Sequence, residues 1–179
     1  MKAMVYTRPL ELQILEVEDP KPAAGEVMVR VDSVGICGSE LEGFATQSPR
    51  RKPPLIMGHE FSGVVVAVGN DVTKFKEGDK VLANPLEYCG RCEYCRRGDW
   101  SICKNRILMS MDRAGAYAEY VCTPESTTYR VPEGLPMHLA AYVEPTAVAT
   151  RAVRLGGALA PQSVAVFGAG TIGLLCAQV

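Results

Sequence analysis

From Glu26 to Val34 the chain reads EVMVRVDSV, polar and apolar positions alternating at the period of two expected of a half-buried strand. Beyond His59 the alternation gives way to a continuous β-branched run, FSGVVVAVG, also read as a strand. FKEGDKVLA contributes a Gly-Asp turn leading into Val81 and Leu82, and GAYAEYVCT alternates again from Tyr117 to Val121. Many short strands separated by Gly, Pro and Asp predict a mainly β fold, a barrel or sandwich, over the first two-thirds. After Pro136 the period lengthens. LAAYVEPTAVATRAVRLGG reads as a helix, with Pro145 suited to the first helical position and Gly156-Gly157 ending it. A polar break, ALAPQ, then precedes SVAVFGAGTIGLLCAQV: a buried-strand pattern from Val164 to Phe167, a glycine turn and the start of a helix. This divides the chain into residues 1–157 and 158–179. PRRKPP, Pro49 to Pro54, reads as a surface loop.

Composition excludes more than it identifies. The 179 residues are 47% hydrophobic and 22% charged with a net charge of −1, an ordinary globular balance without the basic excess of nucleic-acid binding. No window approaches the ~18 consecutive apolar residues of a membrane span, and MKAMVYTRPLEL lacks the apolar run of a secretory signal. The expectation is a cytoplasmic protein with neither nucleic acid nor membrane as partner.

Seven cysteines are many for a reducing compartment, and an odd number argues against a closed disulfide framework. Cys89, Cys92, Cys95 and Cys103 fall within CGRCEYCRRGDWSIC, with gaps of two, two and seven residues. Two-residue gaps let thiolates converge from a tight turn, and four soft ligands with no open position describe structural zinc. A ferredoxin-type iron–sulfur run would space its last cysteine by three and follow it with proline; here Lys104 follows. A redox pair would leave competing partners, and the segment is too polar to be core.

His59, beside Glu60, is by itself as compatible with a satisfied core histidine as with a ligand, and Cys37 in VGICGSE as compatible with packing. Their joint occurrence matters more. A catalytic zinc takes three protein ligands of mixed type and keeps one position open, and Cys37, His59 and the carboxylate of Glu144 can supply them from three separate segments. Gly168, Gly170 and Gly173 follow a strand pattern and open a helix, the context of a dinucleotide fingerprint, although a plain glycine-rich turn reads the same way.

Taken in order, GICGSE, GHE, CGRCEYCRRGDWSIC, EPTAVA and GAGTIG resemble the zinc-dependent medium-chain alcohol dehydrogenases along the whole chain, in pattern closest to the polyol, sugar and threonine dehydrogenase branches. The resemblance implies a GroES-like, partly open barrel with a zinc-binding lobe, followed by the first strand and helix start of a Rossmann domain. It implies that Cys37 and His59 hold a catalytic zinc, with Glu144 where some members carry a third-ligand cysteine and Glu60 as a nearby carboxylate able to approach the metal. Cys89, Cys92, Cys95 and Cys103 match its structural zinc lobe. Ser39 matches its relay hydroxyl, passing outward the proton of an alcohol whose hydride goes to NAD or NADP. Two departures stand out: Glu40 occupies the place of a usual aspartate that orients the histidine, and the histidine that extends the relay has no counterpart near LEGFATQ. The acidic residue about 20 positions after the glycine motif would fall beyond Val179, with the rest of the nucleotide-binding sheet. The expectation is the catalytic-domain portion of a homo-oligomeric dehydrogenase acting on a small secondary alcohol, inactive by itself. Its Val164 to Phe167 strand is expected to pack on its own barrel or pair with a second copy. The alternative is a non-catalytic binding module stabilised by the structural zinc alone.

Overall fold

The computed structural model describes residues 1–157 and 163–179. Its strands are β1 (Lys2–Arg8), β2 (Glu11–Glu16), β3 (Glu26–Val34), β4 (Leu55–Ile56), β5 (Phe61–Val68), β6 (Lys80–Ala83), β7 (Leu86–Glu87), β8 (Ile107–Leu108), β9 (Tyr120–Pro124) and β10 (Thr128–Arg130). Its helices are α1 (Gly38–Ala45), α2 (Glu93–Arg96), α3 (Met137–Ala140), α4 (Val143–Leu155) and α5 (Thr171–Gln178). The fold is mainly β, and its sheets stay open at their edges, as the barrel expectation required.

β3 occupies the alternating segment and organises the larger sheet, whose order is β10-β6-β5-β3-β9. Its alternate residues Val27 and Val29 are fully buried and pack with Phe61, Val65, Val81 and Val121 into the main core. A second sheet, β2-β1-β4, joins the first through an antiparallel bridge from Ala3 to Ala118. The β3–β5 register is irregular twice, between Met28 and Val29 and between Val31 and Ser33. Such bulges bend a strand and re-aim the residues beyond the bend. Here the bent end pairs Val34 with Phe61, so Cys37 leaves β3 and His59 enters β5 at the same place.

Several expectations need correction. The alternation from Tyr117 serves two sheets: the Tyr117 carbonyl accepts from Met4 and its amide donates to Met57, so β9 starts only at Tyr120. The helical segment after Pro136 is two helices, and Pro145 is the third residue of α4 instead of the first. Amides of a first turn have no intrahelical acceptor, so proline is tolerated throughout it. Gly157, at φ +69°, follows the Gly156 cap as expected. Val164 to Phe167 forms no strand and does not pack on the barrel; Phe167 is 97% exposed. A parallel strand needs neighbours to satisfy its backbone, and among the described residues none is provided. The helix after the glycine turn does form, as α5, against α4. The ALAPQ break, residues 158–162, and with it the start of the second expected domain, lies outside the described residues. Within PRRKPP, Arg51 is buried at 2% exposure while Arg50 and Lys52 remain exposed. No helix among the described residues is long and apolar enough to cross a membrane.

Candidate metal centres

The four clustered cysteines sit on a short lobe. Cys89 follows β7, Cys92 caps α2, Cys95 lies within it, and Cys103 ends the turn Trp100–Ile102. Their Sγ atoms stand 3.5 Å apart for Cys92 and Cys95, 3.6 Å for Cys89 and Cys103, 3.9 Å for Cys92 and Cys103 and 4.0 Å for Cys89 and Cys95. A disulfide requires about 2 Å. A tetrahedron of thiolates around zinc, with bonds of ~2.3 Å, has edges of about 3.8 Å. The four donors therefore fit a closed tetrahedral ion and fit no disulfide. The backbone amides of Arg91 and Cys92 lower the Cys89 pKa to about 6, whereas burial pushes Cys95 up to about 12. Four thiolates this close repel one another unless a cation is among them. Tyr88 stacked on Trp100 at 4.9 Å and the Lys104–Glu93 ion pair at 2.9 Å brace the lobe.

A second donor set lies at the bent end of β3 and β5. Cys37 stands at the start of α1, and its sulfur, a ring nitrogen of His59 and a carboxylate oxygen of Glu60 all lie within 4.8 Å of one another. Glu144, in the first turn of α4, is outside this set, although the charges of His59, Glu60 and Glu40 act on it. Burial raises the Glu144 pKa above the ordinary carboxylate value.

Glu40 does reach the histidine. The first turn of α1 aims it inward, where it is 2% exposed, and its Oε1 lies 2.9 Å from His59 Nδ1 and accepts the Gly58 amide at 2.6 Å. Its Oε2 accepts the Tyr117 hydroxyl. With Nδ1 committed to Glu40, Nε2 is the nitrogen left for a metal, the usual arrangement of a ligating histidine. Gly58 is required by this geometry: its φ is +93°, and a Cβ there would stand 2.7 Å from the Tyr117 ring. Burial disfavours charge on both partners, yet hydrogen bonds outweigh it, for Glu40 chiefly the one with His59 and for His59 the one with Cys37 and then that with Glu40. The Glu40 pKa is lowered, and that of His59, also bonded to Cys37, is raised to about 10 in the metal-free protein. The His59 hydrogen bond likewise lowers the Cys37 pKa.

Ser39 Oγ donates to Cys37 Sγ at 3.3 Å. The three glycines form a tight entry to α5: Gly168 has φ +105°, Gly170 caps the helix, and a Cβ on Gly173 would run into the Gly168 carbonyl. A cleft of about 580 Å³ has Cys37 and Glu60 on one side and Gly168, Gly170 and Gly173 on the other.

Residues 23–133 match the family model of the alcohol dehydrogenase GroES-like domain. The chain belongs to the zinc-type alcohol dehydrogenase family. It is 37% identical over 179 residues to L-threonine 3-dehydrogenase of Pyrococcus abyssi, covering 98% of this chain and 51% of that protein. Galactitol-1-phosphate dehydrogenase from Escherichia coli superposes with a TM-score of 0.94 at 33% identity, over 99% of this chain and 51% of that one. A short chain alcohol dehydrogenase (rspB) from E. coli CFT073, complexed with cofactor NADH, does so with a TM-score of 0.92 at 34% identity, over 99% and 52%. The chain thus spans about half the length of the relatives it matches.

In this alcohol dehydrogenase domain the residues around the open donor set that sequence reasoning missed are Arg51, Ser110 and Tyr117. Tyr117 lay within a segment whose alternation marked it for burial on one face. Nothing local marked Arg51, which sits among exposed charges and prolines, or Ser110.

Proposed function

We propose that this chain is the zinc-binding catalytic part of a dehydrogenase that oxidises a secondary alcohol, of polyol, sugar or amino-alcohol type, by hydride transfer to NAD or NADP. The observation that carries the reading is the pairing of a closed four-thiol set with a separate, open set of mixed donors, the latter sharing a cleft with the glycine turn. Two sites of such different composition suit one structural and one catalytic zinc. Cys37, His59 and Glu60 hold the catalytic ion in this reading, with Glu144 a further carboxylate within electrostatic reach of His59 and Glu60. Geometry favours Glu60 over Glu144 as third ligand. A zinc ion held there would supply Lewis-acid polarisation of the substrate hydroxyl.

The remaining work falls to the chain itself. Glu40 holds the His59 ring in its ligating tautomer, and Ser39 receives the hydroxyl proton and passes it outward. Gly168, Gly170 and Gly173 bring backbone amides at the start of α5 to a dinucleotide pyrophosphate. Residues 1–157 form the catalytic domain and 158–179 open the nucleotide-binding one. The names of the threonine and galactitol-1-phosphate dehydrogenases support a small hydroxylated substrate, and the NADH-bound neighbour supports the cofactor.

Zinc stoichiometry tests the assignment. The chain is expected to bind two zinc ions and Cys37→Ala one; one ion in both proteins favours the zinc-stabilised binding module. Competition titration of Glu60→Gln and Glu144→Gln then separates the carboxylates. Glu60→Gln is expected to weaken the open site by more than the ~10- to 100-fold that loss of a supporting residue costs, and Glu144→Gln by less. The reverse order would return the third-ligand role to Glu144.

A further inference from the structure

Among the described residues Arg51 is a buried cation without an anionic partner. At 2% exposure it takes part in none of the salt bridges among the described residues. A buried charge is costly unless hydrogen bonds or an opposite charge compensate it. The compensating groups here belong to two serines. Arg51 Nε donates to the Ser39 carbonyl at 3.4 Å and NH2 to Ser39 Oγ at 3.0 Å, while NH1 donates to the Ser110 carbonyl at 3.1 Å and Ser110 Oγ at 3.4 Å. The passage to these groups is built into α1. A Cβ on Gly43 would meet Arg51 Cδ at 2.5 Å and Nε at 2.6 Å. Glycine inside a helix costs roughly 0.5–1 kcal/mol relative to alanine, and here it leaves room for the arginine side chain to cross.

Both serines touch the open donor set: Ser39 Oγ donates to Cys37 Sγ, and Ser110 Oγ lies 3.3 Å from His59 Nδ1. A serine hydroxyl rotates freely, with one proton to donate and two lone pairs to accept. A guanidinium has donors only. Ser39 Oγ must therefore accept from Arg51, and its own proton is directed away from the guanidinium, into the site. Without Arg51, Ser39, which is exposed, would share its hydroxyl orientations with water.

We infer that Arg51 is a positioning residue that fixes the Ser39 hydroxyl toward Cys37 and the open metal site. The role in catalysis rests on the function proposed above, but the orientation itself does not. The consequence is a hydroxyl whose proton is turned to the sulfur and whose second lone pair is left to receive a substrate proton, held there by a group that cannot itself take it.

The test is the alkylation rate of Cys37 by iodoacetamide, read on its own peptide by mass spectrometry. One equivalent of zinc protects the four-thiol lobe, so the readout needs no turnover and no catalytic metal. A hydroxyl bonded to the thiolate damps its intrinsic nucleophilicity while favouring its ionisation, so rates are compared on the high-pH plateau, where the sulfur is fully ionised. Ser39→Ala is expected to speed alkylation about twofold to tenfold, the worth of one net hydrogen bond. Arg51→Met should speed it by a similar factor in the native background and by none in Ser39→Ala. Equal acceleration in both backgrounds would show that Arg51 acts on Cys37 without Ser39, and would overturn the proposal. Should Arg51→Met fail to fold, Arg51→Lys replaces it, keeping the charge but losing the fork that spans both serines. An unchanged rate in Arg51→Lys, or an acceleration that survives Ser39→Ala, overturns it too. Failure of this cycle leaves the zinc count untouched, so the two readings fail separately.

Discussion

Replacing Glu40 by glutamine separates the histidine's support from the fold's. The buried carboxylate accepts from the Gly58 amide, the Tyr117 hydroxyl and His59 Nδ1. Glutamine keeps the shape and one acceptor oxygen, which can still serve Gly58 and His59. Tyr117 can turn its hydroxyl to the Gly35 carbonyl, already 3.2 Å away. The fold should then lose only about 1 kcal/mol, the net worth of one hydrogen bond, or about 2–4 °C in Tm for a chain of this size. Alanine leaves the Gly58 amide buried without an acceptor and should cost roughly 2–4 kcal/mol, since each orphaned group costs ~1–3 kcal/mol. The open metal site responds differently. Loss of the carboxylate that orients a ligating histidine typically costs about 10- to 100-fold in affinity, and Glu40→Gln should reach this range although the fold is nearly intact. Competition with a chromophoric chelator measures the affinity, and thermal melts in excess zinc measure the fold. The pH dependence has a definite sign. The folded protein lowers the Glu40 pKa from its ordinary 4.5, so the carboxylate's contribution is complete above that value and disappears only as pH falls through the lowered one. The stability gap between the native chain and Glu40→Gln should therefore persist at pH 4.5 and close below it. Open-site affinity within twofold of native in Glu40→Gln would refute the orienting role and leave Glu40 a scaffold residue.

Cys92→Ser should destabilise the zinc-loaded chain, because a closed thiolate site contributes its binding energy to folding, whereas Cys37→Ser should mainly empty the open site. Melts with and without chelator check this, and equal destabilisation by both would remove the division of roles. Gly58→Ala should cost about 1–3 kcal/mol, through its left-handed backbone and its collision with Tyr117, and weaken open-site zinc with it by displacing the amide that holds Glu40. Urea denaturation and the same competition titration measure the two effects, and a stable variant with native zinc affinity would contradict the packing argument.

Those features whose causes are local were legible in the sequence. Alternation over Glu26 to Val34 marks a strand because side chains fall on opposite faces every second residue, and β3 has those bounds. The gaps among Cys89, Cys92, Cys95 and Cys103 bring thiols together because two-residue turns leave the chain few other options. The glycine spacing around Gly168 and Gly173 similarly carried its own turn. What the tertiary structure decided is everything that depends on which segments meet. Val164 to Phe167 has a strand's composition, but a strand is a property of paired neighbours, and among the described residues it has none. Glu40, one methylene longer than the aspartate usual in the family, reaches His59 because α1 tilts its first turn inward beside Gly58, a distance no residue count conveys. Arg51 carries the strongest case: its charge and its proline-rich loop point to solvent, and only the gap left by Gly43 and the carbonyl of Ser110, 59 residues away, makes it a buried part of the site. Local patterns are read from spacing along the chain, whereas a site assembled from distant segments is set by which backbone groups and side chains need partners once water is excluded.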